Sequence, residues 1–167
     1  MTELAWVDKS GWGEGPWQGE PDKINWTDAG TRLPCMIVRG PSGALCGYVA
    51  VPPGHPLHGL SYTDFPDEGP YAHGGITFTD GCQESEDGHG ICHVPEPGEP
   101  ADVWWIGFDC AHGYDVMPAL ESTMREAGMP NHLRMEATEF WPASTYKDVE
   151  YVTNQCKDLA GQLKLMK

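Results

Sequence analysis

The most hydrophobic run of the chain ends in a cysteine and a histidine, in the stretch WWIGFDCAHGYD at 104–115. Thiolate and neutral imidazole are the usual zinc ligands, and three such ligands with one open position form a catalytic zinc site. His73, Cys110 and His112 could supply that set. The pattern therefore predicts a metal-assisted site at the end of this run, with zinc as the expected cofactor.

Two aspartates of the same stretch could take part in acid–base chemistry or support a metal ligand. Asp109 or Asp115 could orient a ligand imidazole or serve as general base. Without a metal, Cys110 could act as nucleophile, with His112 or His73 as its base. A purely structural interpretation also stands, in which Cys110 ends the core face of a strand, Asp109 caps the next turn and His112 is an ordinary loop residue.

A second group of metal-ligating side chains lies in the segment 80–101 and consists of Cys82, His89, Cys92 and His93. These four could close a structural zinc site that orders the segment, although their spacing is irregular. Disulfides are not expected in a reducing compartment, so the six cysteines are interpreted as free thiols or metal ligands. Cys35, Cys46 and Cys156 lie on apolar faces of predicted elements and are expected to be small core residues.

Hydrophobic patterning predicts the strands that must position these groups. PCMIVR and ALCGYVAV flank the turn-forming GPSG, which predicts a central hairpin at 34–51. A four-residue turn would place Cys35 and Cys46 on the same face. HGGITFT predicts a short strand at 73–79, whose glycines either turn the chain or let a ligand approach the backbone. DVWWIGFDC at 102–110 is the clearest strand.

Helical signals follow in the last third of the chain. PALESTMREAG at 118–128 predicts a short helix that begins at a proline and stops at a glycine. From Thr145 onward, apolar residues recur at spacings of three and four, which predicts a long amphipathic helix with Ser144 or Thr145 as its N-cap. The alternation in HLRMEATEF at 132–140 is interpreted as a further strand.

The strand ends should bring the candidate residues together. If the predicted strands are sequential antiparallel neighbours, the segments after Val51 and before Gly74 meet the end of the strand 102–110 at one edge of the sheet. That edge would form a ligand pocket from His55, His58, His73, Asp109, Cys110, His112 and Asp115.

The sequence thus predicts the α+β class. Residues 24–167 should form one domain, with an antiparallel sheet of four or five strands, a long C-terminal helix packed on it and two long loops. Residues 1–23 carry three tryptophans among glycine, proline and acidic residues, which predicts an irregular arm packed on that domain.

The charge of the chain limits its partners. Ten Lys and Arg against 25 Asp and Glu give a net charge of −15, which argues against direct nucleic-acid or membrane binding. The chain shows neither a signal-peptide pattern nor a long apolar run. We therefore expect a cytoplasmic protein, monomeric or homodimeric, whose partner is a small molecule or another protein.

Several strings resemble a family of small proteins encoded by tailed bacteriophages and some bacteria: GALCGYVAVPPGHPLHG, HGGITF, HVPEPGEPADVWWIGFDCAH and the terminal YKDVEYV. The resemblance covers most of the chain from about Trp26 onward and supplies no residue role. It implies a phage accessory protein that acts in the host cytoplasm. Two functions fit this setting: a metal-assisted hydrolase of a host small molecule or nucleotide, or a non-catalytic acidic protein that sequesters a host protein or signal molecule.

Overall fold

A six-stranded sheet forms the centre of the computed structural model, which describes residues 1–95, 97–130 and 133–166. The strands are β1 Thr2–Leu4, β2 Lys23–Thr27, β3 Pro34–Arg39, β4 Leu45–Val51, β5 Phe78–Asp80 and β6 Trp104–Asp109. Neighbouring strands are antiparallel in the order β1-β2-β3-β4-β6-β5. The helices are α1 Pro118–Glu126 and α2 Val149–Leu165, with 3-10 turns at Ser10–Trp12, Pro16–Gln18 and Tyr62–Asp64. The α+β fold is confirmed, with six strands rather than four or five.

The central hairpin of β3 and β4 has a different register from the predicted one. Arg39 pairs with Leu45, so the turn spans the five residues 40–44. A shift of one residue turns every side chain of a strand to the other face. Cys35 therefore lies opposite Val49, and Cys46 lies on the other side of the sheet. The predicted faces of β4 are wrong because the turn is one residue longer than GPSG.

Helix α2 covers one face of the sheet. Its apolar stripe packs with Ile37, Val49 and Phe108 in the larger core and consists of Val152, Cys156, Leu159, Ala160 and Leu163. The helix begins at Val149 rather than near Thr145. The Asp148 carboxylate accepts the Tyr151 N–H at 2.9 Å and so provides the N-cap.

The loop between β5 and β6 covers the opposite face. Its Ile91 and Val103 pack on the second core, around Met36, Tyr48 and Trp105. The ammonium group of a buried lysine, Lys23, donates hydrogen bonds to three carbonyls of this loop, at 2.7, 2.6 and 3.2 Å. A disulfide between Cys82 and Cys92 closes the loop.

That disulfide corrects the predicted structural zinc site and the expectation that every cysteine is a free thiol or a metal ligand. The histidines of the predicted zinc set contact aromatic rings. His89 stacks on Trp6 at 3.6 Å between ring centroids, and His93 meets Trp105 edge-on at 5.3 Å. The remaining four cysteines are free, and Cys35, Cys110 and Cys156 are buried.

The first 23 residues are more regular than predicted, because Thr2–Leu4 forms the edge strand β1 against β2. The rest of this segment is fixed by a buried ion network. Asp22 Oδ1 contacts Arg39 Nε at 2.6 Å and Lys9 Nζ at 2.8 Å. Its other oxygen accepts the backbone N–H groups of Trp6 and Val7, both at 2.9 Å. These bonds tie the N-terminal segment to the hairpin.

The segment predicted as a strand at 132–140 forms no strand over its described residues, 133–140, and His132 lies outside the described part of the chain. Helix α1 is confirmed, and Gly128 has a left-handed φ of 68° just after it. In the three described ranges, no helix has the length and apolar character needed to cross a membrane.

Candidate functional site

The position of β6 between β4 and β5 decides which residues meet. Trp104 at the start of β6 pairs with Val51, whereas the end of β6 lies beside the start of β5. The two ends of β6 are about 17 Å apart, given about 3.4 Å per residue in a strand. His55 and His58 follow β4 and so lie at the Trp104 end. His73 precedes β5 and lies at the opposite end, where β6 stops.

His55 and His58 make structural contacts at their own end of the sheet. His55 Nε2 is 2.9 Å from the carbonyl oxygen of Leu163, near the end of α2. His58 Nε2 is 3.2 Å from the carbonyl oxygen of Asp102. Their predicted inclusion in the pocket is wrong, because β6 and not β5 is the neighbour of β4.

His73, His112 and Asp115 converge at the far end of β6. Asp115 Oδ2 lies 2.8 Å from His73 Nε2 and 3.2 Å from His112 Nδ1, and it accepts the backbone N–H of His112 at 3.0 Å. One nitrogen of each imidazole and one oxygen of the carboxylate all lie within 4.8 Å of one another. His73 and Asp115 are buried, and His112 is half-buried. We call these three residues the ligand cluster.

Helix α2 holds His73 in place through two side chains one helical turn apart. The hydroxyl of Tyr151 lies 2.9 Å from His73 Nδ1, and Gln155 Oε1 accepts the backbone N–H of His73 at 2.9 Å. Residues four apart on a helix lie on the same face, so both reach the same segment. The orientation of the His73 ring therefore depends on α2 and on Asp115 together.

Gly74 makes room for the ring of His112. A Cβ atom at Gly74 would lie 2.1 Å from Cε1 and 2.3 Å from Nε2 of His112, and Gly74 has a φ of 70°, in the left-handed region. The left-handed conformation fits the interpretation that the glycines turn the chain, and the group that approaches Gly74 is a ring of the same chain rather than a ligand. The ring of Tyr114 lies nearly parallel to the His112 ring, with 5.7 Å between centroids and 10° between planes.

The charge on Asp115 is stabilised by its surroundings. Burial raises the pKa of this carboxyl, but the hydrogen bonds from His73 and from the backbone N–H of His112 outweigh burial, so the pKa lies below its usual range. Asp115 Oδ1 also lies 3.4 Å from the ammonium group of Lys147. Asp115 is therefore a carboxylate near neutral pH, as a metal ligand or an imidazole partner must be.

Cys110 does not join the ligand cluster. It is buried in the larger core, and burial, with the nearby charge of Asp115, raises the pKa of its thiol far above the usual range. Since the thiolate is the form that ligates metals and attacks substrates, Cys110 is poorly suited to either role near neutral pH. The structure brings Asp115 to the place where the sequence predicts Cys110.

Asp109 caps the turn after β6. Its oxygens accept the N–H of Ala111 at 3.0 Å and the hydroxyl of Thr77 at 2.9 Å. Asp109 Oδ1 also lies 3.9 Å from His112 Nδ1, so this carboxylate is adjacent to the ligand cluster without belonging to it.

Sequence reasoning missed four residues of the site: Tyr114, Lys147, Tyr151 and Gln155. Tyr151 and Gln155 flank the apolar stripe of α2 at a spacing of four, which is a weak signal that polar groups face the edge of the sheet. Nothing in the local sequence of Tyr114 or Lys147 points to the site, because their positions depend on a bridge between Asp115 and Thr145.

No protein-family model, no curated protein and no solved structure matches the chain. The function is therefore argued from the ligand cluster and its surroundings.

Proposed function

We propose that the protein is a metal-assisted hydrolase of a small molecule, with zinc held by His73, His112 and Asp115. The observation that carries the proposal is the convergence of two imidazole nitrogens and one carboxylate oxygen within 4.8 Å. Three protein ligands with one open position are the donor set of catalytic zinc sites. The half-buried His112 marks the open side, toward solvent.

The two distances from Asp115 Oδ2 suit a zinc ion after a small adjustment, and the two imidazole nitrogens, which lie within 4.8 Å of each other, must reach the same spacing. Ligand atoms about 2.0–2.2 Å from a tetrahedral ion lie roughly 3.3–3.6 Å from one another. His112 Nδ1 and Asp115 Oδ2 are already 3.2 Å apart, and His73 Nε2 and Asp115 Oδ2 are 2.8 Å apart. The second pair must open by about 0.5 Å or slightly more, within the reach of small side-chain rotations. The Tyr151 hydroxyl would then accept a hydrogen bond from His73 Nδ1–H, which is the outer contact typical of a ligating imidazole.

A zinc ion at this place would supply an activated water near neutral pH. Asp109, half-buried and 3.9 Å from His112 Nδ1, would take the proton of that water as general base. In hydrolysis the water oxygen would bond to the electrophilic carbon of the substrate while the bond from that carbon to the leaving group breaks. Asp109 would then return the proton to the leaving group, so that one water is consumed and two products are released.

A non-catalytic binding protein is the second candidate. It is favoured by two adjacent aromatic side chains on an acidic protein, Phe140 at 81% exposure and Trp141 at 66%. Such a surface suits a protein partner, in keeping with the phage setting that the sequence resemblance implies.

Metal content separates the two candidates. Protein purified without a histidine tag is incubated with zinc, dialysed and analysed by inductively coupled plasma mass spectrometry. We expect about one equivalent of zinc in the native chain and less than about 0.1 in His112→Ala and Asp115→Asn, because each removes one of three ligands. His58→Ala is the matched control, since it removes an imidazole at the other end of β6 and should retain the metal. Zinc below about 0.1 equivalent in the native chain would overturn the metalloenzyme proposal.

A further inference from the structure

A cavity of about 640 Å³ opens beside the ligand cluster, with walls that include Tyr114, Met135, Trp141, Pro142, Ala143 and Lys147. Tyr114 connects the two sites directly, because its ring also contacts the rings of His73 and His112, at 5.5 and 5.7 Å between centroids. The volume is within the range of about 300–1,000 Å³ of small-molecule pockets. A molecule in the cavity would therefore lie next to the ligand cluster.

The outer wall of the cavity is anchored although it contains neither helix nor strand. Arg134 forms a two-pronged ion pair with the buried Glu121 of α1, at 2.8–3.0 Å. Met135 and Ser144 bond to each other twice, through the Met135 N–H to Ser144 Oγ and the Ser144 N–H to the Met135 carbonyl, both at 2.9 Å. These bonds tie the wall to α1, and the bridge between Thr145 and Asp115 holds its end beside the ligand cluster.

The chemistry of the lining selects for an uncharged ligand. Aromatic rings, a thioether, a proline and an alanine form most of the wall. Among the described residues, the lining contains one charged side chain, Lys147. Its ammonium group donates to Thr145 Oγ1, lies 3.4 Å from Asp115 Oδ1 and lies over the Tyr151 ring at 5.5 Å. With a net charge of −15 around it, the cavity offers little to a phosphate or carboxylate.

We propose that this cavity binds the uncharged aromatic group of the substrate, which makes the substrate an aromatic ester or amide rather than a nucleotide. The assignment of ester or amide rests on the proposed hydrolase function, whereas the binding of an uncharged aromatic group depends on the cavity alone. The aromatic group lies against Trp141 and Met135, and the scissile carbonyl then faces His112.

Two fluorescent probes with the same ring system test the charge selection. N-phenyl-1-naphthylamine is uncharged, and 8-anilinonaphthalene-1-sulfonate adds one sulfonate. We expect the uncharged probe to bind at least about tenfold more tightly, because the sulfonate would lose water without gaining a cation. Equal or tighter binding of the sulfonate would overturn the proposal.

Neighbouring variants locate the binding. Trp141→Ala should weaken binding of the uncharged probe about tenfold, the loss expected for one aromatic wall. Phe140→Ala is the matched control, since this adjacent ring does not line the cavity. Ala143→Phe fills the cavity while keeping Trp141, so it too should weaken binding. Binding that both Trp141→Ala and Ala143→Phe leave unchanged contradicts the proposal.

The hydrolase is tested apart from the cavity. The uncharged probe should bind equally well to the metal-free and the zinc-loaded native chain, because the cavity lining includes none of the three residues of the ligand cluster. Hydrolysis of 1-naphthyl acetate by the zinc-loaded native chain then tests the proposed function. Probe binding without hydrolysis contradicts the hydrolase and supports the cavity assignment. Hydrolysis without a preference for the uncharged probe supports the hydrolase and contradicts the cavity assignment.

Discussion

A single carboxylate oxygen, Asp115 Oδ2, organises the candidate site by accepting from both imidazoles and from one backbone N–H. A carboxylate is an acceptor only, so this arrangement fixes a proton on His73 Nε2 and on His112 Nδ1 while no metal is bound. Tyr151 then donates its hydroxyl proton to His73 Nδ1. Zinc binding at His73 Nε2 would therefore move that ring proton to Nδ1, where Tyr151 becomes the acceptor.

Gly74 provides the sharpest test at the residue scale. Gly74→Ala introduces a Cβ into the His112 ring, and we expect zinc affinity to drop by about 10- to 100-fold, the range seen when an outer contact of a metal site is lost. Gly75→Ala is the matched control. It has a φ of 101° and no atom within 4 Å of an added Cβ.

Both alanine variants carry a backbone strain of about 1–2 kcal/mol. Urea unfolding measures that shared loss of stability, and competition with a chromogenic chelator measures zinc affinity. Equal zinc affinities in the two variants would show that the His112 ring does not need the space above Gly74.

At the scale of elements, the N-terminal segment, the hairpin and α2 are joined by the buried charges around Arg39. Besides Asp22, the Arg39 guanidinium contacts Glu20 Oε2 at 3.1 Å and the Tyr146 hydroxyl at 2.8 Å. Glu20 Oε1 in turn accepts the first N–H of α2, from Val149, at 3.0 Å. Removing one member of such a network leaves another charge buried without its partner.

Acid should weaken this network in a defined pH window. Burial raises the pKa of Asp22, but hydrogen bonds from Lys9, from two backbone N–H groups and from Arg39 bring it down to about 2, against 3.8 for a free aspartate. A depressed pKa stabilises the folded state fully above about pH 3.8, and that stabilisation is lost as the pH falls through about 2. The contribution is about 2 kcal/mol.

We therefore expect Asp22→Asn to lower the free energy of unfolding by at least about 2 kcal/mol at pH 6 and by progressively less toward pH 2. Urea titrations at pH 6, 4 and 2.5 measure the difference from the native chain. Glu14→Gln, at an exposed site in the same segment, is the control and should stay within about 0.5 kcal/mol. A difference that does not change between pH 6 and 2.5 contradicts the role of the Asp22 charge.

The elements also show what the sequence can and cannot predict. The apolar run at Trp104–Asp109 and the stripe of α2 are strong periodic signals, and both elements are confirmed. The length of the turn at 40–44 is ambiguous by one residue in the sequence. An error of one residue exchanges the two faces of β4. The three residues of β1 have no periodicity, and their pairing with β2 is stabilised by contacts distant in sequence.

The part of the site that depends on the pairing of β5 with β6 could be predicted from the sequence. His73 and His112 meet because β5 runs antiparallel to β6, as the sequence predicts. β4 could pair with either β5 or β6, because both are apolar, and local sequence patterns do not distinguish the two. In the structure β4 pairs with β6. Because β4 pairs with β6, His55 and His58 lie at the other end of β6, away from the site. Cys110 is buried in the core, and Asp115 is the third member of the cluster instead.

On the scale of the whole molecule, the sheet separates the disulfide from the ligand cluster. Helix α2 and the cluster lie on one face, and the loop closed by Cys82 and Cys92 lies on the other. Closing a loop of about ten residues stabilises a fold by about 3 kcal/mol.

Reduction should therefore lower stability without affecting the metal. We expect the double variant Cys82→Ser, Cys92→Ser, or the native chain in reductant, to lose about 2–3 kcal/mol in urea unfolding and to keep its zinc content. Reductant should not change the unfolding of the double variant, which serves as the control. Loss of zinc upon reduction would show that the two faces are coupled.

The strand order has a consequence for how the chain folds. β4 ends at Val51 and its partner β6 starts at Trp104, so their pairing must close a loop of about 50 residues, and such non-local pairings slow folding. β5 pairs only with β6 within the described chain, and the loop between them, residues 81–103, is less than half as long, so this pair closes at a smaller entropic cost. His73 and His112 can therefore meet before β6 joins β4. Zinc capture during refolding should consequently precede or accompany the burial of Trp105 against β4, and a lag behind it would contradict this order.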